Sequence, residues 1–276
     1  MSLLTRLWTT SGRWEVPEGW RQGRGAWGGL VVGQIVTAAT HGVPELLQPR
    51  SVWVSMLAPV RAGVVRCEVK DLRAGKSTLI REVNLVDADD SLLTRAVVGF
   101  GAHRDPTAVS DPPAAPADPA PTPGTVIPIG PPVAPEFTGN LRFAPVVGIP
   151  YSGASELATS GWVGLPKEAE EPLSTAVVAA LSDAWWTTSI VGLDGATMAG
   201  GPPPVATLDF ALSFPEPPVD EPDVWETGLW HTGRVIGGND GYLTEIRTLH
   251  SPGGRLLAVN TQLQAIGGTG SRTPAG

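Results

Sequence analysis

The sequence predicts an α+β protein made of two similar halves, each with one buried helix and an antiparallel sheet that curls around it. A proline-rich stretch separates the halves, and each half has one apolar helical stretch followed by four β-rich runs. A helix followed by an antiparallel meander favours this layered arrangement. We therefore expect one domain over residues 1–104, a linker over 105–139 and a second domain over 140–276.

The first half has its helix in the stretch AWGGLVVGQIVTAATHGV, which two glycines, Gly28 and Gly29, open. Four β-rich runs follow, and turn residues such as the Asp-Ala-Asp-Asp at 87–90 separate them. The four runs are SVWVSMLAPV, VVRCEVKDLRAGK, TLIREVNLVDADD and SLLTRAVVGFGAH. Their short connections predict an antiparallel meander.

Residues 105–136 contain eleven prolines. Proline lacks a backbone N–H and fixes φ, so this density excludes helix and interior strand and favours extended polyproline II. We expect the segment to link the two halves along the surface of the protein.

The second half contains a strand-like run, ELATSGWVGL, and then a helix over residues 176–190. Apolar residues cover every side of this helix, which predicts that it is buried. One carboxylate, Asp183, interrupts the apolar run. Because a buried ionised carboxylate costs several kcal/mol without partners, Asp183 is either a hydrogen-bonded structural acid or a catalytic group with a shifted pKa.

Four β-rich runs complete the second half: VATLDFALSFPEP, DVWETGLWHTGRV, GYLTEIRTLHSPGG and RLLAVNTQLQAI. Alignment of SVWVSMLAP with TLDFALSFP places Ser51 on Thr207. Alignment of the last run of each half places Val98 on Gln262. The two halves are therefore interpreted as an internal duplication.

The composition narrows the function classes. The net charge is −8 and no block of Lys and Arg stands out, which argues against nucleic-acid binding through phosphate contacts. Cys67 is the only cysteine, which excludes an internal disulfide and cysteine-based four-ligand zinc sites. The histidines follow no metal-ligand spacing, and we expect all four to be surface or turn residues: His41, His103, His231 and His250. We predict no metal and no cofactor.

The first residues lack the apolar region of a signal peptide, and no apolar run approaches the about 18 residues of a membrane span. We therefore expect a cytoplasmic protein without a membrane partner.

The order and spacing of several motifs resemble the TesB-like acyl-CoA thioesterases, a family with two hotdog folds in one chain. GAWGGLVVGQIVTAA is similar to the glycine-opened first helix of the family, and LRAGKSTLIREVNL is similar to its hairpin. In the second half, SDAWW, ATLDFALSF and GRLLAVNTQ resemble its C-terminal hotdog. The resemblance spans residues 20–104 and 140–266. It implies a double hotdog fold and the hydrolysis of fatty acyl-CoA to the free acid and CoA.

The resemblance also implies a hydrolytic site in the C-terminal hotdog, where an Asp, a Thr and a Gln hold and activate a water. These residues match Asp183 in SDAWW, Thr207 in ATLDF and Gln262 at the end of LLAVNTQ. A thioester carbonyl is already electrophilic and a thiolate leaves readily, so a positioned water and a carboxylate base suffice. We therefore expect Asp183 to be the base, with Thr207 and Gln262 aiming the water.

Four further residues are candidates for substrate binding. The N–H groups of Gly28 and Gly29 at the start of a helix are natural donors to an oxyanion, although tight helix packing explains the two glycines equally well. Trp185 and Trp186 lie within one helical turn of Asp183 and can wall an acyl pocket, with core filling as the alternative.

Strict strand alternation conflicts with this site. It places Thr207 on one face with Asp209, opposite Phe210, and it places Gln262 on one face with Asn260. Both candidates therefore lie on the less apolar faces. The three side chains converge only if those faces line a polar pocket or a β-bulge redirects a side chain. We expect Asp209, a second acid, to be a structural partner or a pocket residue.

Two other functions fit the fold. A hotdog hydratase or dehydratase typically pairs a His with an acid on or near the helix, and the second helix has no His. A non-catalytic acyl-CoA-binding double hotdog protein is disfavoured only by the complete trio.

The first half lacks the trio, because it has Val98 in place of Gln262 and Trp27 in place of Asp183. We therefore expect one hydrolytic site per chain. A homodimer is the assembly that we consider for this fold.

Overall fold

The structure is a computed structural model that describes residues 4–10, 12–104, 126–169, 171–196, 203–219, 221 and 224–267. Most of the predicted linker, residues 105–125, lies outside the described residues, so its extended conformation stays a prediction. Farther along, a short 3-10 helix at Glu136–Asn140 carries the buried Phe137, whose ring stacks on Trp27 with 4.7 Å between the ring centres.

Helices and strands follow the expected order in both halves. The first half contains α1 (Gly28–Thr40) and the strands β1 (Arg13–Val16), β2 (Arg21–Gln22), β3 (Gly25–Ala26), β4 (Gln48–Met56), β5 (Gly63–Ala74), β6 (Thr78–Val86) and β7 (Leu92–Gly101). The second half contains α2 (Thr175–Leu181), α3 (Val224–Thr227) and the strands β8 (Arg142–Val147), β9 (Ala158–Gly164), β10 (Val205–Ser213), β11 (Leu229–Asn239), β12 (Tyr242–His250) and β13 (Leu256–Ile266). Each of the eight predicted β-rich runs contains a strand.

Among the described residues, eleven strands form one antiparallel sheet in the order β1-β5-β6-β7-β4-β10-β13-β12-β11-β9-β8. Outward from the central pair, β4-β7-β6-β5-β1 in the first half corresponds to β10-β13-β12-β11-β9 in the second, and β8 is an additional edge strand. Val54 pairs with Phe210 in this junction, and the alignment that places Ser51 on Thr207 also places Val54 on Phe210. A pseudo-twofold axis therefore passes between these residues, and the predicted α+β double hotdog is confirmed.

The two helices pack against each other, with α1 against β4–β7 and α2 against β13. A Cβ on Gly29 would lie 2.3 Å from the backbone oxygen of Ala180, so glycine lets the helices approach closely. This contact favours helix packing as the role of Gly29. No helix in the described part of the chain is long and apolar enough to cross a membrane.

The second helix is shorter than expected. It ends at Leu181, whereas the apolar run predicted helix over 176–190. The hydroxyl of Ser182 donates to the backbone oxygen of Ala179 at 2.7 Å, and residues 183–187 then leave the helix. The apolar pattern predicted burial correctly, but burial does not require helical conformation. Asp183 therefore lies on an irregular segment beyond the helix.

One predicted strand begins later than expected. In DVWETGLWHTGRV, Val224–Thr227 forms a single helical turn and the strand starts at Leu229. Gly228 between them has a φ of +92°, which favours glycine. The indole N–H of Trp225 donates to the backbone oxygen of Glu171 at 2.6 Å and holds the helical turn against the core.

Two of the four histidines are not surface residues. His41 and His103 are exposed as expected, but His231 and His250 are buried. His231 follows the buried Leu229 by two residues on β11 and so lies on the same, inward face. The expectation failed because it considered histidine type and spacing but not strand alternation.

Candidate active site

Asp183 lies just beyond the end of α2, and its carboxylate faces the start of α1 in the other half. The indole N–H of Trp27 donates to the backbone oxygen of Asp183 at 3.0 Å, and the backbone N–H of Gly29 stabilises its ionised carboxylate and lowers its pKa. A Cβ on Gly28 would lie 2.6 Å from Oδ2 of Asp183, so glycine leaves room for the carboxylate. The acid therefore lies where the helix dipole and the first N–H groups favour negative charge.

Gln262 connects the three residues predicted for the hydrolytic site. Its Nε2 donates to Oδ1 of Asp183 at 2.9 Å and to Oδ1 of Asn260 at 2.8 Å. Its Oε1 accepts from Oγ1 of Thr207 and from Nε2 of Gln264, each at 3.1 Å. The amide therefore uses both donors and both acceptor sites, which determines its orientation.

A β-bulge brings Thr207 into this set. Thr207 pairs with Gln264, whereas Asp209 pairs with Leu263, so Leu208 is the extra residue. The bulge moves Thr207 to the face of β10 that meets the buried polar side chains of β13. Both conditions for convergence are met, because a bulge is present and the polar face of β13 points inward.

Asp209 lies on the opposite face and has a different partner. Its Oδ1 accepts a hydrogen bond from the hydroxyl of Ser55 at 3.0 Å, across the central pair of strands. This contact agrees with the expected role of Asp209 as a structural partner.

Burial raises the pKa of Asp183 from 3.8 to about 6. Arg247, the hydrogen bond from Gln262 and the N–H of Gly29 lower the pKa, whereas Glu245 raises it, but burial is the largest cause. Asp183 is therefore mainly ionised at neutral pH. Its pKa is close enough to neutrality for it to take a proton from a reacting water.

Two charged residues beside Asp183 were missed in the sequence. Glu245 and Arg247 of β12 form a buried ion pair at 2.9 Å, and Nη1 of Arg247 lies 3.8 Å from Oδ1 of Asp183. A signal was present in TEIRTLH, where the two charges are two residues apart and so share one strand face. Charges on a strand usually mark its solvated face, so alternation alone did not indicate a buried pair.

The two tryptophans after Asp183 contact the aromatic core. The ring of Trp185 stacks on His231 at 4.8 Å and meets Phe143 edge-on at 5.7 Å between ring centres. Trp186 is partly buried, and its indole N–H donates to the backbone oxygen of Gly148 at 3.1 Å. These contacts favour core filling for Trp185, and an acyl wall built from the pair stays a prediction.

The arrangement can position one water for attack on a carbonyl. Thr207 uses its only hydroxyl hydrogen to donate a hydrogen bond to Gln262, so its lone pairs can accept a hydrogen bond from water. Gln262 donates a hydrogen bond to Oδ1 of Asp183, and Arg247 lies near the same oxygen. The other oxygen, Oδ2, faces Gly28. The site therefore combines a carboxylate oxygen beside the start of a helix with a hydroxyl that belongs to the same hydrogen-bonded series.

Solved structures share this fold across almost the whole chain. A conserved hot dog fold protein of unknown function from Alicyclobacillus acidocaldarius superposes with a TM-score of 0.77 and 23% identity, covering 93% of this chain and 92% of its own. An acyl-CoA thioesterase II, TesB2, from Mycobacterium marinum gives a TM-score of 0.68 and 21% identity, covering 89% and 91%. A tesB protein from Mycobacterium avium subsp. paratuberculosis gives 0.68 and 19%, covering 88% of each chain. At this identity the likeness supports the fold.

Two sequence-family models, one for each domain of a known family, match the chain. The model of the acyl-CoA thioesterase N-terminal domain matches residues 16–101, and the model of the C-terminal domain matches residues 106–266. No curated protein matches the chain. Since the two domain models together cover most of the sequence, the chain belongs to the acyl-CoA thioesterase family and is a thioester hydrolase.

Proposed function

We propose that the chain hydrolyses fatty acyl-CoA to the free acid and CoA by means of a water that Asp183 activates. The observation that carries this mechanism is the hydrogen-bonded series from Thr207 through Gln262 to Asp183, which ends at the N-terminus of α1. A structural acid needs partners, but it needs neither a pKa near 6 nor an oxygen that faces a position restricted to glycine.

In the first step the water donates one hydrogen bond to Oδ2 of Asp183 and the other to Oγ1 of Thr207. Its lone pair then points at the thioester carbon. As the C–O bond forms, Asp183 takes the proton and the carbonyl oxygen becomes an oxyanion. The C–S bond then breaks, the CoA thiolate leaves, and the proton held by Asp183 passes to the thiolate.

The start of α1 is the proposed site for the oxyanion. The first N–H groups of a helix have no acceptor within the helix, and Gly28 and Gly29 are the first two residues of α1. The N–H of Gly29 stabilises the ionised carboxylate of Asp183, so Gly28 is the better candidate for the oxyanion. Its missing Cβ allows a ligand to approach the backbone.

We further propose one hydrolytic site per chain, at the junction of the two halves. The carboxylate, hydroxyl and amide come from the second half, and the helix start comes from the first. The sequence alignment placed Val98 on Gln262, but Phe210 pairs with Gln262 and its equivalent Val54 pairs with Ala96, so Ala96 is the counterpart of Gln262 in the structure. Both Ala96 and Val98 are buried and apolar and cannot hold a water. Three further statements remain predictions from the sequence: the domain boundaries at 104 and 139, a homodimer and a cytoplasmic location.

Thiol release with purified protein tests the proposed function. Wild type should release thiol from a series of saturated acyl-CoA esters, with a rate that depends on chain length, and Asp183→Asn should release it roughly 10²-fold more slowly or worse. Tight binding of acyl-CoA without thiol release would point to a non-catalytic binding protein. Hydration of an enoyl-CoA without thiol release would point to a hydratase.

The number of sites can be measured separately. A thioether analogue of acyl-CoA, which cannot be hydrolysed, should bind wild type with one site per chain in a calorimetric titration. Two equivalent sites would contradict the proposed division of work between the halves.

A further inference from the structure

We propose that Arg247, held by Glu245, is a positioning residue of the hydrolytic site. The inference rests on the proposed role of Asp183 as the base, and it adds two residues that neither the motifs nor the family match assigned.

The base is one member of a ring of polar side chains in contact. The six members of the ring are buried or half-buried side chains of the second half that each contact the next one: Asp183, Gln262, Gln264, Thr187, Glu245 and Arg247. The contact between Nη1 of Arg247 and Oδ1 of Asp183 spans 3.8 Å. The hydroxyl of Thr187 lies within hydrogen-bond distance of both Gln264 and Glu245, but it has one proton and donates to only one of them at a time. Arg247 contacts Asp183 with no residue in between, so a change at Arg247 acts on the base directly.

Arg247 contacts the irregular segment that carries the base. Its Nη1 donates to the backbone oxygen of Trp185 at 3.2 Å and also lies near the carboxylate of Asp183. The N–H groups of Asp183 and Ala184 still donate to the backbone oxygens of Ala180 and Leu181, at 3.1 Å each, and Arg247 supplies a further fixed donor two residues beyond Asp183.

Glu245 contacts the far end of the same segment. One of its oxygens accepts from the backbone N–H of Thr188 at 3.1 Å, and the other accepts from the hydroxyl of Thr188. Its Oε1 also accepts from Nε of Arg247 at 2.9 Å. The ion pair therefore holds both ends of the turn that begins at Asp183.

The burial of this pair calls for a functional reason. Glu245 is 0% exposed and Arg247 is 2% exposed. A buried ion pair generally contributes little net stability compared with apolar residues of the same size, because two charges lose their water. A pair that positions the base and sets its charge state explains why these charges lie on an inward face.

The two charges act on Asp183 in opposite directions. Arg247 stabilises the ionised carboxylate and lowers the pKa of Asp183, whereas Glu245 raises it. His231 from β11 is the other titratable group facing Arg247, and burial together with Arg247 lowers its pKa, so it is neutral in this range. The side chains that α1 and β4 bring to Asp183 do not titrate.

The test is the pH profile of kcat/KM for three variants beside wild type. Arg247→Met should move the acidic limb of the profile upward by roughly one pH unit or more, because a positive charge within about 4 Å has been removed. Glu245→Gln should move it downward, and Arg247→Lys should restore most of the wild-type profile. The decrease in kcat/KM of Arg247→Met should come from a lower kcat more than from a higher KM.

Arg255→Met is the matched control, because it breaks an ion pair with Glu216 of the same half, at 2.9 Å and partly exposed, away from the base. Its profile should match wild type. If Arg247→Met does not fold, the downward shift of Glu245→Gln remains as the test.

Limbs that stay in place for Arg247→Met and Glu245→Gln, or that move in the same direction, would overturn the inference. Asp183→Asn, measured in parallel, separates this failure from a failure of the proposed function. If Asp183→Asn is inactive while the limbs stay in place, only the role of the ion pair is wrong. If Asp183→Asn is fully active, the proposed mechanism is wrong.

Discussion

The amide of Gln262 donates to Oδ1 of Asp183 at 2.9 Å, and this bond connects β13 to the segment that faces the first helix. The same amide accepts a hydrogen bond from the hydroxyl of Thr207. The orientation of the amide determines which groups can bind a water. Because Thr207 donates its hydrogen bond to Gln262, it can only accept a hydrogen bond from the water. Gln262 therefore organises the site and takes no proton in the reaction.

Removal of the amide should slow turnover with little effect on binding. We expect Gln262→Ala to lower kcat by roughly 10-fold to 10²-fold, because the base and the hydroxyl lose their common partner, with KM close to that of wild type. Steady-state thiol release measures both. Gln48→Ala, at an exposed position on β4, is the control and should turn over normally. A Gln262→Ala protein with wild-type kcat would remove Gln262 from the site.

Addition of one methyl group at the start of α1 should strongly slow hydrolysis. In Gly28→Ala the new Cβ would lie 2.6 Å from Oδ2 of Asp183 and would displace the oxygen that takes the proton. We expect a loss in kcat of roughly 10²-fold, comparable to loss of the base. Gly139→Ala is the control, since a Cβ there meets nothing within 4 Å. Equal activity of the two alanine variants would show that the carboxylate does not need this space.

Ionised Asp183 should lower the free energy of unfolding at neutral pH. Its pKa of about 6 in the folded state lies above the ordinary 3.8, so the unfolded chain loses this proton first as pH rises. Wild type should therefore lose stability relative to Asp183→Asn between about pH 4 and about pH 7, by up to about 3 kcal/mol, and the difference should stay constant above that range. Urea unfolding of both proteins over this range measures it. A difference that is independent of pH would mean that the pKa of Asp183 is not raised.

His231 should be replaceable by an apolar ring. Neither of its ring nitrogens has a hydrogen-bond partner among the described residues, and burial holds its pKa well below 6.5. We expect His231→Phe to fold with equal or higher melting temperature, because two buried polar atoms without partners are removed. Below about pH 6.5 the unfolded state of wild type takes up a proton that the folded state excludes, so the advantage of Phe should grow as pH falls.

A clear loss of stability in His231→Phe at neutral pH would instead indicate a hydrogen bond to a buried water. The melting temperature at neutral pH and at mildly acidic pH distinguishes the two outcomes.

Local patterns in the sequence predicted most of the fold. The glycine-opened helix begins at Gly28, and every predicted β-rich run contains a strand. The duplication also located the junction, because the alignment that places Val54 on Phe210 defines the axis between the halves. These features depend on periodicity and turn residues, which are local.

The site was predictable only as a set of residue types in motif order. Its convergence depends on the bulge at Leu208, which is a property of the pairing between β10 and β13 and leaves no mark in a single strand. The ion pair of Glu245 and Arg247 was missed for a similar reason, since its burial depends on what covers β12. The end of α2 at Leu181 was missed because an apolar run predicts burial and does not predict conformation.

The most direct measurement of the central claim is the single-turnover rate of thioester hydrolysis by Asp183→Asn. The amide keeps an acceptor for Gln262 but cannot take a proton from water, so the mechanism predicts a loss of roughly 10²-fold or more relative to wild type. Circular dichroism and the melting temperature establish that the variant is folded, and binding of the thioether analogue establishes that it still takes the ligand. A folded, ligand-binding Asp183→Asn protein that hydrolyses acyl-CoA at the wild-type rate would contradict the claim that Asp183 is the base.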